Sequence, residues 1–206
     1  MQEGIYCADM KTTVSPTYAG EMQSVEGGFG LDGLLRVRSD CVKGVLNGCD
    51  LETWNPGKDK LIPENFTSKN MAGKVKCKAE LQKRMGLPVN PNVPVIGIVT
   101  RLADQKGISE VFAPAYGSIY SMCVNMDLQF AILGSGEKWC EDEINNLQSK
   151  LPNLRAYIGY DESLSHLIEA GSDFFLMPSR YEPCGLNQMY SMLYGTLPIV
   201  RRTGGL

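Results

Sequence analysis

From Val95 onward the chain alternates short apolar runs with amphipathic stretches, and the hydrophobic period switches from one to the next. Val95–Thr100 (VIGIVT) and Leu128–Leu133 (LQFAIL) show little polar alternation, so both read as strands buried on two faces. Between them, residues 108–125 have helical spacing, with Pro114 expected to kink the helix or to sit near its first turn. Next come a helix over 137–151 stopped by Pro152, a strand over 154–158, a helix over 163–170 and a strand over 173–177. A turn carrying Glu182, a helix over 186–194 and a strand over 197–200 complete the pattern. Repeated βαβ of this kind has one physical solution: an α/β fold, with a parallel sheet, helices on both faces and right-handed crossovers.

The first ninety or so residues lack that rhythm. Gly20, Gly27, Gly28, Gly30 and Gly33 crowd the stretch from Tyr18 to Gly33, which predicts a flexible loop that closes near a ligand rather than regular structure. Residues 43–47 read as a short strand ending in an Asn47-Gly48 turn. Residues 59–68, with Pro63, have little periodicity. Residues 71–85 are lysine-rich with helical spacing, and Gly86, Pro88, Pro91 and Pro94 punctuate the segment that leads to Val95. No internal repeat is present.

Composition narrows the function classes. The 206 residues are 43% hydrophobic and 21% charged, with a net charge of −3, which gives no footprint for nucleic acid or an anionic membrane. There is no apolar run of about 18 residues and no basic-then-apolar leader at the N-terminus, so neither a membrane partner nor a signal peptide is expected, and a cytoplasmic location is. The seven cysteines form no C-x-x-C pair and read as scattered free thiols. One histidine, His166, leaves little material for a metal site or a Ser-His-Asp triad; in S-L-S-H-L-I-E-A it reads as a structural hydrogen-bonding residue.

The candidate chemistry lies at strand ends. R-L-A-D-Q-K-G comes directly after the first buried strand, placing Arg101 and Lys106 on a strand-to-helix turn where both can face one anion; the plainer reading is a solvated pair at a helix start. P-S-R-Y-E-P-C-G-L-N-Q comes after the strand at 173–177. Glu182 there can accept from sugar hydroxyls, with the amides of Cys184, Gly185 and Leu186 donating to the same sugar, or can simply cap the next helix. Cys184 has no histidine nearby in sequence to serve as its base. Tyr160, in Y-I-G-Y-D-E, is by itself a loop tyrosine, and Leu133–Gly136 (LGSG) is a weak glycine turn that reads as pocket wall. At the end, Thr203, Gly204 and Gly205 could bring backbone amides to a phosphate.

These motifs, together with T-T-V-S-P-T-Y-A, G-L-D-G-L-L-R, G-V-L-N-G-C-D and W-N-P upstream, closely resemble the bacterial glycogen synthases and plant starch synthases, and the resemblance covers essentially the whole chain. Those enzymes are retaining glucosyltransferases of the two-lobed GT-B fold. The resemblance implies ADP-glucose as donor, the non-reducing end of an α-1,4-glucan as acceptor, and no metal or other cofactor. Arg101 and Lys106 would stabilise the departing diphosphate and Glu182 would fix the sugar. Tyr160 would stack on the nucleobase, Cys184, Gly185 and Leu186 would line the sugar pocket, and Thr203, Gly204 and Gly205 would meet the phosphates. The departing diphosphate would help deprotonate the incoming 4-hydroxyl. Many retaining GT-B enzymes carry a second glutamate eight positions after the first; here that position is Tyr190, which leaves ribose recognition unassigned.

By the family's layout, residues 1–43 would be the tail of the N-terminal domain and the interdomain crossing. Residues 44–206 would be the C-terminal nucleotide-sugar-binding domain, cut before its end. The glucan would then bind through a missing lobe, and the isolated chain is expected to be inactive although its parent is an enzyme. A plant-type homologue would place the protein in a plastid. The main alternative is a non-catalytic nucleotide-sugar-binding module of the same fold; a nicotinamide oxidoreductase is disfavoured by the missing G-x-G-x-x-G.

Overall fold

The computed structural model describes residues 2–206. The chain begins with α1 (Gln2–Cys7), β1 (Lys11–Thr13), α2 (Pro16–Glu21), α3 (Val25–Gly28), α4 (Asp32–Val37) and β2 (Val42–Gly44). β1 and β2 form a parallel two-stranded sheet over a small core of Ala19, Leu35 and Val42. The remainder runs α5 (Ala72–Met85), β3 (Val95–Val99), α6 (Ile108–Phe112), α7 (Ser118–Asn125), β4 (Gln129–Gly134) and α8 (Lys138–Lys150). β5 (Leu154–Ile158), α9 (Glu162–Gly171), β6 (Phe174–Met177), α10 (Asn187–Leu193) and β7 (Leu197–Val200) complete it.

β3 to β7 form one parallel sheet in the order β5-β4-β3-β6-β7. The strands are built outward from β3 to β5; the chain then returns through α9 and lays β6 on the other side of β3. That reversal lies between β3 and β6, the point at which open α/β sheets bind ligands at their carboxyl ends. Only Ile96↔Phe174 and Gly97↔Phe175 pair across it, so the last residues of both strands are left unzipped. By contrast β3 and β4 pair over five positions, Val95↔Gln129 to Val99↔Leu133.

The uninterrupted apolar runs of β3 and β4 are explained by burial on both faces. Ile96, Ile98, Phe130 and Ile132 pack with Val111, Phe112, Ile119 and Ile144 of α6, α7 and α8. Val95, Ala131 and Leu133 pack with Cys77 and Leu81 of α5 and Leu167 and Ile168 of α9. Lys74 ties this second layer together: its Nζ donates to the carbonyls of Ala170 and Tyr194, both at 3.0 Å, and to Thr196 Oγ1 at 2.7 Å. Burial lowers the Lys74 pKa to about 8.

Three sequence expectations need correction. Tyr18–Gly33 is not a loop but spans most of α2, all of α3 and the start of α4. Ser15 caps α2 by accepting from the Tyr18 amide, and Ser24 caps α3 by accepting from the Gly27 amide. Gly27 and Gly28 are there for close packing, since a Cβ would lie 2.3 Å from the Glu21 carbonyl oxygen at one and 2.4 Å from Asp32 Cβ at the other. Second, residues 108–125 form two helices, because Pro114 disfavours helical geometry at Ala113, which turns extended with ψ at 131°. Third, the strand expected over 43–47 is β2, which stops at Gly44 and leaves Val45 and Leu46 exposed.

Gly107 controls how the β3 turn meets the β6 turn. It is left-handed, with φ at 70°, and a Cβ on it would lie 2.2 Å from the Pro178 carbonyl oxygen. We predict that Gly107→Ala lowers stability by about 2 kcal/mol or more and pushes the Lys106 turn off the β6 turn. Thermal or urea unfolding checks this; a wild-type midpoint would show that the contact is slack.

Candidate active site

The unzipped ends of β3 and β6 open into a cleft with two adjoining compartments. The first, a cavity of about 220 Å³, is walled by Val99 and Arg101 at the end of β3, by Met177, Ser179 and Glu182 at the end of β6, and by Gly185 and Leu186. The second, about 370 Å³, lies over the ends of β3, β4 and β5. Leu133, Gly134, Ser135, Gly159 and Tyr160 line it, with Trp54 and the inner face of α9. Val99, Thr100, Arg101 and Asn187 belong to both, so the cleft is continuous.

The first compartment holds the charged groups. Lys106 Nζ donates to Glu182 Oε2 at 2.5 Å, and Ser179 Oγ donates to the same oxygen at 3.0 Å. Glu182 is only 7% exposed, so this shared oxygen fixes the carboxylate and leaves Oε1 as its unshared acceptor. Arg101 lines both compartments, is exposed, and makes no salt bridge among the described residues. An exposed cation at the mouth and a held ion pair inside suit an anion that enters from solvent. The two turns are pinned together outside the cleft. Arg180 pairs with Asp104 at 2.5 Å and Glu110 at 2.8 Å, and its amide donates to the Gln105 carbonyl at 2.9 Å.

The structure thus brings Arg101, Lys106, Glu182, Gly185 and Leu186 together, and places Tyr160, 82% exposed, at the rim of the second compartment. It does not bring the others to the cleft. Cys184 is buried behind Gly185 as a free thiol. The backbone donors expected to meet phosphate are engaged elsewhere: the Gly205 amide donates to the Glu182 carbonyl at 3.0 Å, and the Gly204 amide donates to Glu21 Oε1 at 2.9 Å. Thr203 Oγ1 donates to that same oxygen at 3.1 Å. Gly204 has φ at 53°, and a Cβ there would fall 1.7 Å from the Glu182 carbonyl oxygen, so this turn wraps the backbone that carries Glu182.

Sequence reasoning missed the wall of the second compartment. The Trp54 indole is stacked between His166, 3.9 Å away at 11°, and Tyr190, 4.2 Å away at 5°. His166 Nδ1 lies 2.8 Å from Asp59 Oδ2, and the Tyr194 hydroxyl donates to that oxygen at 2.5 Å. Burial alone would raise the Asp59 pKa, yet the bonds from His166 and Tyr194 hold it below the usual carboxylate value. An ionised Asp59 requires the tautomer in which Nδ1–H donates, so His166 is fixed as the support on which Trp54 rests. Among the described residues no cluster of three or more His, Cys, Asp or Glu could hold a metal ion, and no helix is long and apolar enough to cross a membrane.

A parallel sheet with its reversal at β3/β6, and a cleft of cations and a carboxylate beyond those strands, is a doubly wound α/β arrangement with its ligand cleft at the switch point. Residues 1–37 match the family model described as the starch synthase catalytic domain. The whole chain is 59% identical to a glycogen synthase of Treponema denticola and 50% identical to one of Anaeromyxobacter dehalogenans, covering 42% of each. It superposes, with a TM-score of 0.91 and 39% identity, on 42% of the catalytic domain of starch synthase IV from Arabidopsis thaliana, solved bound to ADP and acarbose. Along its whole length the chain is similar in sequence to these bacterial glycogen synthases, and it spans about two fifths of their length.

The Asp59 network yields a prediction. Asp59→Ala should lower stability by about 3 kcal/mol, because it leaves His166 Nδ1 and the Tyr194 hydroxyl buried without a partner. Trp54 fluorescence should shift in the folded variant. Stability equal to wild type would show that the network does not support the wall.

Proposed function

We propose that this chain carries the donor-binding half of a retaining glucosyltransferase, which moves glucose from ADP-glucose to the non-reducing end of an α-1,4-glucan. The observation that carries the reading is the Lys106–Glu182 pair inside a cleft that opens where β3 and β6 part, with Arg101 unpaired at its mouth. The family's names and the ADP and acarbose bound to the Arabidopsis relative support the choice of donor and acceptor. In this reading residues 1–43 belong to the preceding lobe and the crossing from it, and residues 44–206 form the nucleotide-sugar lobe.

The pair works by exchange of partners. A diphosphate brings more negative charge than one carboxylate, so it draws Lys106 and Arg101 onto its oxygens. Glu182 is then released to accept from the glucose hydroxyls. When the bond to the sugar breaks, charge grows on the departing diphosphate, and the two cations are already in place to stabilise it. Gly185 and Leu186 shape the sugar side, Tyr160 offers its ring to the nucleobase, and Ser179 keeps Glu182 in register. Thr203, Gly204 and Gly205 serve through the Glu182 backbone that they wrap. The cations supply the positive charge, and no metal or cofactor is assigned to the cleft.

Calorimetric titration of the chain with ADP and with ADP-glucose tests the assignment. Lys106→Ala should lose ADP affinity about tenfold or more, through loss of a charge-assisted contact. Glu182→Ala should keep ADP binding but lose any preference for ADP-glucose over ADP. Unchanged ADP affinity in Lys106→Ala would move the diphosphate out of the first compartment, and a retained preference in Glu182→Ala would leave that residue as a structural partner of Lys106 and Ser179.

A further inference from the structure

The second compartment contains a carboxyl that the exchange between Lys106 and Glu182 does not use. Glu169, on the inner face of α9, lines it and is 1% exposed, and its Oε2 has no hydrogen-bond partner among the described residues. The other polar side chains nearby are partly spent: Ser165 Oγ donates to the Glu162 carbonyl at 2.7 Å, and Asn187 Nδ2 donates to the Val99 carbonyl at 3.0 Å. A buried polar atom left without a partner costs about 1–3 kcal/mol. A core position would be better filled by an apolar residue, and the neighbours Leu164, Leu167 and Ile168 on the same helix are apolar.

The position of Glu169 fits one part of the ligand. A nucleoside diphosphate is linear in its connections: base, ribose, phosphates. The cleft runs across the carboxyl ends of β5, β4, β3 and β6 in that order, about 14 Å in three strand spacings. If the base lies at Tyr160 beyond β5 and the phosphates lie at Arg101 and Lys106 between β3 and β6, the ribose lies over β4 and β3. α9 packs on those two strands.

We propose that Glu169 is the ribose-recognising residue of this cleft, its buried carboxyl hydrogen-bonding the vicinal 2′- and 3′-hydroxyls of the nucleotide. This inference rests on the reading of the cleft as a nucleotide site. Burial raises the Glu169 pKa well above the usual carboxylate value, against the opposing charge of Lys74, and so favours the neutral form. A neutral carboxyl has one O–H donor and one carbonyl acceptor, the complement of a diol in which one hydroxyl accepts and the other donates. No net charge then needs to be buried with the sugar. Tyr190 has a phenol and no carboxyl group, and its ring is stacked on Trp54.

Titration with ADP and with 2′,3′-dideoxy-ADP, which lacks both hydroxyls, tests this. Wild type should bind ADP about tenfold more tightly than the dideoxy analogue. Glu169→Met should bind both equally, at the wild-type dideoxy affinity, with a thermal midpoint no lower than wild type because an unpartnered polar atom has gone. Glu169→Gln, which keeps a donor and an acceptor, should retain most of the discrimination; Glu169→Leu serves if the Met variant folds poorly. Equal binding of the two nucleotides by wild type, or full discrimination surviving in the apolar variant, overturns the proposal alone. No ADP binding by wild type overturns the nucleotide reading and this inference with it.

Discussion

The separation of β3 from β6 beyond Gly97 and Phe175 is the constraint on which the site depends. Two parallel strands that paired to their ends would close the sheet edge. Here each strand turns away, β3 into the Arg101–Gly107 turn and β6 into the Ser179–Glu182 turn, and the gap between them becomes the cleft. Gly107 lets the first turn settle on the Pro178 carbonyl, and Arg180 straps the two turns from outside. Lys106 and Glu182 therefore meet although 76 residues separate them in sequence.

Electrostatics and packing divide the cleft into two environments. The compartment at β6 is ionic, with a cation and a carboxylate in contact and a second cation free at the mouth. The compartment over β4 and β5 mixes aromatic and aliphatic walls with polar side chains, and its Trp54 wall is held by His166 and, behind it, by ionised Asp59. Glu169 is the buried carboxyl among the groups that line this compartment, and its Oε2 has no hydrogen-bond partner among the described residues. The Gly204 turn adds a tie of a different kind: Glu21 of α2 reaches it, and Phe29 packs on Tyr181 with ring centroids 5.4 Å apart. The small N-terminal sheet and the Glu182 turn thereby constrain one another.

The sheet was legible in the sequence because burial on both faces leaves its mark in unbroken apolar runs, and β5 and β7 fall on the residues expected. The positions of Arg101, Lys106 and Glu182 were legible because turns after parallel strands converge on one edge. What was hidden depends on contacts between distant segments. Asp59 lies in a stretch with no periodicity, and its partner His166 is 107 residues away. The glycines of α3 signal flexibility in composition, yet each is dictated by a neighbour that a side chain would strike. The Gly204–Gly205 pair announced close backbone approach, and the neighbours it approaches are the Glu182 and Cys184 carbonyls. Glu169 left one trace that could have been read: a carboxylate on the apolar face of α9 with no cation three or four positions away.

The most direct measurement is a crystal structure of the chain with ADP bound. The diphosphate is expected in the opening between β3 and β6, within hydrogen-bonding distance of both Arg101 and Lys106, with Lys106 turned away from Glu182. Nucleotide bound elsewhere on the sheet, or bound in the cleft with Lys106 still paired to Glu182, would contradict the exchange of partners on which the proposed chemistry rests.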